Sequence, residues 1–145
     1  MQRKKERGRE FTLEQARQQV FVGHEFTADM TDNLRQAVDS ALEGSGLVAY
    51  YADRELVPNA QIFLDKILRV IHHLAFGIYD ISNPEKPNVF LELGAGLARR
   101  KICIIICELE TNIPSNLQGL DRIEYQSFDD LKVQLRVKTK PFWPQ

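Results

Sequence analysis

The amino-acid sequence predicts a three-layer α/β sandwich in which five parallel strands carry helices on both faces. Two observations lead to this prediction. Five short apolar segments alternate along the chain with segments whose apolar residues recur at helical spacing, which is typical of a parallel sheet with crossover helices. The third and fourth apolar segments, residues 74–82 and 101–108, are apolar almost throughout, which indicates central strands covered on both sides.

Each element has its own local signal. The first helix has Thr27 as its candidate N-cap and stops at Gly44 or Gly46, and the second follows the break at Pro58-Asn59. The second helix carries an apolar stripe of Ile62, Ile67, Val70 and Ile71, and the last helix spans 128–137. The predicted strands are residues 18–23, 47–53, 74–82, 101–108 and 121–126. This order of elements predicts a flavodoxin-like arrangement.

Length and composition indicate one soluble globular domain. The chain has 145 residues, of which 43% are hydrophobic and 27% are charged. We expect a basic N-terminal tail over 1–17, an α/β domain over 18–138 and a C-terminal tail over 139–145. A formal net charge of −1 argues against a general attraction to nucleic acid or membrane. The opening "MQRKKERGRE" is interpreted as a solvated terminus, with a nucleic-acid contact as the alternative.

The cysteines and the apolar runs exclude further classes. Cys103 and Cys107 would lie roughly 13 Å apart along one strand, too far for a disulfide with each other. The sequence has no CxxC pair and no clustered histidines, so no metal site is expected. No apolar run approaches the roughly 20 residues of a membrane helix. We therefore expect reduced core thiols in a cytoplasmic protein.

The segment "PNVFLELGAGLARRK", residues 87–101, fits two structures. As a strand followed by a glycine turn, it would cradle a phosphate, as in a dinucleotide-binding fold. That arrangement leaves only about six residues for the helix before the next strand, whereas a parallel crossover needs a dozen or more. We therefore predict a helix over 88–100, with Pro87 at or just before its first turn.

The predicted helix has a buried face and needs a reason for its glycines. Val89, Leu93 and Leu97 are expected to line the buried face, because they recur at i, i+4 and i+8. Gly94 and Gly96 each cost up to about 1 kcal/mol in a helix interior. We attribute both glycines to close packing of the helix against the sheet.

Two acidic residues are candidates for chemistry at the carboxyl ends of the strands, where parallel sheets bind ligands. Glu92 shares a side of the predicted helix with Asn88 and Arg99, so it is expected at the border of the crevice. Asp80 ends a central strand and is expected to face Glu92 across the cleft. An ordinary charged helix residue and a turn-forming Asp are equally good interpretations of the two positions.

Three segments carry a family resemblance: "VFVGHEF", "YDISNPEKPNVFLELGAGLARRK" and "ICIIIC". Together they resemble the nucleoside 2-deoxyribosyltransferase superfamily and its Toll/interleukin-receptor (TIR)-like relatives. They look in particular like bacterial TIR-like nucleotide-binding domains. The resemblance covers residues 19–135 and is concentrated in Asp80, Pro87-Asn88-Val89 and Glu92-Leu93-Gly94.

The resemblance implies roles for individual residues. Glu92 would attack or stabilise the anomeric carbon of a ribose while the base leaves, and Asp80 would lie against the base or the sugar. The loop after the first strand would line the nucleotide pocket. The candidate substrate-binding residues at the strand ends and on the helix are Gly23, His24, Phe26, Asp53, Ser82 and Asn88.

The implied function is cleavage of an N-glycosidic bond, with hydrolysis of NAD to nicotinamide and an ADP-ribose product as the leading hypothesis. Such a bond breaks through an oxocarbenium-like state, which a nearby carboxylate traps or stabilises. The positively charged nicotinamide is already a good leaving group, so NAD needs no strong general acid. NAD would be the substrate, and no cofactor is expected.

Two alternatives stay open. One is a module that binds a nucleotide signal without turning it over, and the other is a nucleoside deoxyribosyltransferase. In each case the expected partner is a nucleotide or nucleoside small molecule. Self-association into a homo-oligomer is expected from the resemblance alone, and neither a membrane nor a nucleic acid is expected as a partner.

Overall fold

The computed structural model describes residues 13–25, 31–51, 60–85 and 87–145. Five parallel strands form one sheet in the order β2-β1-β3-β4-β5. Their bounds are Gln19–Gly23 (β1), Val48–Tyr51 (β2), Phe76–Asp80 (β3), Cys103–Glu108 (β4) and Arg122–Tyr125 (β5). Each strand falls inside the segment that the sequence predicts for it. The predicted fold class is confirmed.

The helices occupy the crossovers. Their bounds are Leu13–Ala16 (α1), Thr31–Ala41 (α2), Ala60–His73 (α3), Pro87–Ala98 (α4) and Phe128–Thr139 (α5), with 3₁₀ turns at Ser115–Leu117 and Lys140–Phe142. The chain leaves α2 through Gly44 and Gly46, whose φ angles of 75° and 79° suit glycine. The predicted cap Thr27 lies outside the described residues. No helix in the described part of the chain is long and apolar enough to span a membrane.

Side-chain alternation along the strands divides the core in two. Val22, Ile78 and Ile106 point to one face of the sheet, where α2 packs on α5. Phe21 and Tyr79 point to the opposite face, where α3 packs on α4. The two layers of helices therefore cover the central strands on both sides, as their apolar sequences indicate.

The C-terminal end of the chain is held by local contacts. Ser127 caps α5, because its side chain accepts a hydrogen bond from the backbone N–H of Asp130. Beyond the helix, Trp143 packs against the core on the α2/α5 face. Its indole N–H donates to the Thr139 hydroxyl at 3.1 Å. The hydrogen bond between Trp143 and Thr139 lies within the segment 139–145.

Helix α4 is rotated about its axis relative to the prediction. Its buried residues are Val89, Glu92, Leu93 and Gly96, whereas Leu97 is 41% exposed. At about 100° per residue, the centre of the observed buried arc lies about 50° from the centre of the predicted one. The prediction for Leu97 is wrong, because a line spaced i, i+3, i+4 and i+7 follows the helix axis better than one spaced i, i+4 and i+8.

One of the two glycines explains this rotation. A Cβ on Gly96 would lie 2.7 Å from the Tyr79 hydroxyl oxygen and 2.9 Å from the Cys103 sulfur. Only glycine lets the helix backbone approach the sheet this closely. A Cβ on Gly94 would meet nothing within 4 Å. Close packing therefore accounts for Gly96 and not for Gly94.

Alanine in place of each of the two glycines should change the stability of the protein in opposite directions. Gly94→Ala should raise the free energy of unfolding by about 0.5–1 kcal/mol, because alanine favours the helix and has open space. Gly96→Ala should lower it by about 1–3 kcal/mol, because the added methyl group overpacks the interface with Tyr79. Urea unfolding of both variants checks this. A Gly96→Ala variant as stable as Gly94→Ala would contradict the packing argument.

Candidate active site

The topology places the candidate residues at one edge of the sheet. After β1 the chain forms β2 on one side and β3 on the other, so the strand order reverses between β1 and β3. Sheets of this kind bind ligands beyond the carboxyl ends of the strands at that point. Gly23 is the last residue of β1 and Asp80 the last residue of β3. Helix α4, which carries Glu92, begins shortly after β3.

Glu92 is directed at the end of β1. The residue is only 5% exposed, and its Oε2 lies 2.7 Å from the position that a Cβ on Gly23 would occupy. Gly23 therefore leaves the space that the carboxylate fills. Asn88 and Arg99 are exposed, just outside the buried arc of the helix. The rotation of α4 turns Glu92 inward, so Glu92 is buried while Asn88 and Arg99, on the same side of the helix, are exposed.

The ring of Tyr79 lies beneath Glu92 on the same face of the sheet. Tyr79 is 1% exposed, and it stacks at a tilt against Phe21 with ring centroids 5.8 Å apart. Burial raises the pKa of the Tyr79 hydroxyl, and the nearby Cys103 and Glu92 raise it further. Burial also raises the pKa of the Cys103 thiol, to about 11. Both groups therefore stay neutral beneath the carboxylate.

Asp80 lies on the opposite face, in a network that joins the ends of three strands. Its Oδ1 accepts hydrogen bonds from the Ser82 backbone N–H at 2.9 Å and from the Ser82 hydroxyl at 2.5 Å. Its Oδ2 accepts from the Tyr125 hydroxyl at 2.9 Å. The Ser82 hydroxyl oxygen in turn accepts from the backbone N–H of Glu108 at 2.8 Å. The ends of β3, β4 and β5 are thereby fixed around one carboxyl group.

Burial raises the pKa of Asp80 above its ordinary value. The hydrogen bonds from Ser82 and Tyr125 and the nearby His24 act in the opposite direction without reversing the shift. Asp80 therefore holds a proton at higher pH than an ordinary Asp does. This property suits a group that exchanges a proton with a ligand.

His24 is buried beside this network. Its Nε2 accepts a hydrogen bond from the Arg35 side chain at 3.1 Å, so in its neutral form the ring carries its proton on Nδ1. Nδ1 lies 3.0 Å from the Glu25 carbonyl oxygen, to which it donates. The ring also contacts Tyr51 edge to face. His24 is thus oriented by the protein itself.

A cavity of about 230 Å³ opens at this edge on the α2/α5 side of the sheet. Asp80 and Ser82 line it together with residues from both helices and from the ends of β1, β4 and β5. The lining residues are Glu25, Thr31, Leu34, Asp80, Ser82, Asn83, Glu108, Tyr125 and Phe128. Glu92 does not line it, so the two candidate carboxyl groups approach the switch point from opposite sides of the sheet.

The remaining candidates differ in position. Asn88 is exposed in the first turn of α4, and Phe26 and Asp53 lie outside the described residues. The sequence interpretation missed Tyr125, which donates to Asp80 across 45 residues of chain. The sequence could have indicated Tyr125 by its position, because it is the last inward-facing residue of β5. In the described ranges, no group of three or more acidic, His or Cys side chains is arranged to hold a metal ion.

Comparison with known proteins finds solved structures of the same fold. No protein-family model matches the chain, and no curated protein matches it. A solved structure of a CMP N-glycosidase from Clostridium botulinum is similar, with a TM-score of 0.64 and 18% sequence identity over 83% of this chain and 98% of that chain. A 2-deoxyribosyltransferase from Leishmania mexicana is similar with a TM-score of 0.62 and 14% identity, over 81% and 97% of the two chains.

The chain has the nucleoside 2-deoxyribosyltransferase-like fold. The fold implied by the resemblance is confirmed, since the match extends over 98% and 97% of the two solved chains. The TIR-like part of the resemblance stays a prediction. At these levels of identity the similarity establishes the fold alone.

Proposed function

We propose that the chain breaks the N-glycosidic bond of a nucleoside or nucleotide, with Glu92 as its key carboxylate. The observation that carries the proposal is the burial of Glu92 at the switch point, with its carboxylate against the end of β1. That is where a sheet of this order receives a ligand. The names of the two similar structures, an N-glycosidase and a deoxyribosyltransferase, support the same class of reaction.

The chemistry follows from the position of the carboxylate. When the bond between the sugar C1′ and the base nitrogen breaks, its electron pair leaves with the base and C1′ becomes cationic. A buried carboxylate stabilises such a cation more strongly than a solvated one does, because the surrounding dielectric is lower. Glu92 either bonds to C1′ or stabilises it electrostatically. Water then completes a hydrolysis, and a second base completes a transfer.

Asp80 is the second functional group in this proposal. Because its pKa is raised, Asp80 is able to carry a proton and to donate it to a base that leaves as an anion. A neutral base such as cytosine needs this proton. Nicotinamide leaves as a neutral molecule and does not.

This difference predicts the pH dependence of the reaction. Release of a neutral base should decline as the pH rises through the pKa of Asp80, since only the protonated acid donates. Release of nicotinamide from NAD should not decline in that range. Initial rates between pH 4 and pH 8 for both substrates, in the wild type and in Asp80→Asn, measure this. Parallel profiles for the two substrates would contradict the proton-donor role.

Three substrates are candidates, and each has a different line of support. NAD is the leading hypothesis from the sequence, with nicotinamide and an ADP-ribose product expected. CMP is the second candidate, because the similar structure from Clostridium botulinum is named for that substrate. Deoxynucleosides with an acceptor base are the third, by the corresponding argument from the transferase.

Chromatography of the free base, after incubation with each substrate, tests the proposal. We expect release from at least one of NAD, CMP and a deoxynucleoside supplied with an acceptor base. Binding of a nucleotide with no release from any of the three would instead indicate the sensing module. Repeating the assay at low and high protein concentration tests whether activity depends on self-association, which stays a prediction.

A further inference from the structure

The cavity at the carboxyl edge is both acidic and aromatic. Among the described residues that line it, three are acidic, Glu25, Asp80 and Glu108, and none is basic. One wall is formed by Tyr125 and Phe128, whose ring centroids lie 6.1 Å apart with the planes tilted by 35°. The cavity therefore combines negative charge with flat apolar surface.

Two of the acidic side chains have no ion-pair partner among the described residues. The Oε1 atom of Glu25 is buried and has no hydrogen-bond partner among the described residues. Within the described ranges no ion pair involves Glu25 or Glu108. Asp80, in contrast, is held by Ser82 and Tyr125. A buried carboxylate oxygen with no partner is costly, so its retention beside a cavity points to a ligand that supplies one.

We propose that this cavity binds a positively charged base, and that Glu25 and Glu108 are specificity residues that favour nucleosides with a cationic base. The inference rests on the proposed N-glycosidic cleavage and deepens it by naming the class of substrate. A planar cation is attracted both by the carboxylates and by the faces of the aromatic rings. A phosphate group in the same cavity would be repelled.

The flow of charge in the reaction defines what these two residues do. In the substrate the ring is cationic, and when the bond to C1′ breaks the electron pair returns to the ring, which leaves uncharged. The positive charge thus moves from the base to the sugar. Glu25 and Glu108 therefore stabilise bound substrate more than the transition state, so removing either one should raise KM without lowering kcat. The neutral product loses the attraction and dissociates.

The test compares two substrates that differ in the charge of the base. Nicotinamide riboside has a cationic base and cytidine a neutral one, and neither has a phosphate. In Glu25→Gln and in Glu108→Gln, we expect KM for nicotinamide riboside to rise about tenfold, while kcat stays the same or rises. KM for cytidine should stay within about threefold. Glu110 is exposed and lies two residues after Glu108, so Glu110→Gln is the matched control. It should leave KM unchanged for both substrates.

The outcomes separate this inference from the proposed function. If both variants change KM by the same factor for the two substrates, the specificity role is overturned while cleavage stands. The same holds if the wild type binds cytidine more tightly than nicotinamide riboside. If the wild type releases no base from either, the proposed function fails. Dissociation constants of the two nucleosides, measured by calorimetry on the same variants, then still decide whether the cavity prefers the cation.

Discussion

Replacing Glu92 by Gln is expected to lower kcat for cleavage of the N-glycosidic bond by about 10³-fold, which corresponds to about 4 kcal/mol of transition-state stabilisation. The amide has nearly the shape of the carboxyl group, so it fills the same space beside Gly23. It carries no negative charge and is a poor nucleophile, so it neither traps nor stabilises the cation at C1′. Initial rates of base release, at saturating substrate, measure the effect.

The control for this substitution is a second Glu in the same part of the chain. Glu85 is exposed in the turn before α4, and Glu85→Gln should leave kcat within about twofold of the wild type. Circular dichroism and urea unfolding should show that Glu92→Gln keeps its fold. If the folded Glu92→Gln variant retained more than a tenth of the activity, the role assigned to Glu92 would be wrong.

Gly23→Ala is expected to lower kcat by about 10²-fold. The new Cβ would lie 2.7 Å from the Glu92 Oε2, closer than real Cβ contacts, and 3.0 Å from the Tyr79 Cδ1, which is tighter than most of them. Either the carboxylate or helix α4 has to move, and a displacement of about 1 Å in a catalytic group is enough for a loss of this size. Gly119→Ala is the matched control, because a Cβ there meets nothing within 4 Å.

A double substitution identifies the cause of the Gly23→Ala effect. The overpacking should also cost about 1–3 kcal/mol of unfolding free energy. In the Glu92→Ala background the carboxylate is absent and leaves room for the new methyl group, so the cost of Gly23→Ala should be smaller there. An equal cost in both backgrounds would show that the two residues are not coupled, contrary to the geometry of the site.

Local signals in the sequence were sufficient for the architecture. The alternation of apolar strands with helical segments predicted all five strands, and the break at Pro58-Asn59 and the apolar stripe predicted α3, which spans Ala60–His73. The length of the crossover decided that residues after Pro87 form a helix and not a strand. Each of these inferences depends on residues close to one another in the chain or on the minimum length of a connection.

The orientation of α4 and the hydrogen-bond network of Asp80 needed the tertiary structure. Leu97 and Gly96 are equally compatible with a buried position on periodicity, and the contact of Gly96 with Tyr79 decides between them. The same rotation buries Glu92, which the sequence placed at the border of the crevice without indicating how far it is buried. The bond from Tyr125 to Asp80 joins residues 45 apart, a pairing that no local pattern specifies.

Several site residues stay predictions. Gly23, Asp80, Ser82 and Glu92 all lie at the carboxyl edge of the sheet, as the resemblance implies. Their roles toward a substrate are proposed on that geometry. The predictions for Phe26 and Asp53 fall outside the described residues, and NAD as the substrate rests on the sequence and on the charge of the cavity.

The most direct test of the central claim is a time course of free-base release by the wild type and by Glu92→Gln, side by side and on the same substrate. The account predicts steady release by the wild type and almost none by the variant, with substrate binding retained in both. Equal release by the two proteins, or tight nucleotide binding without release by the wild type, would contradict it.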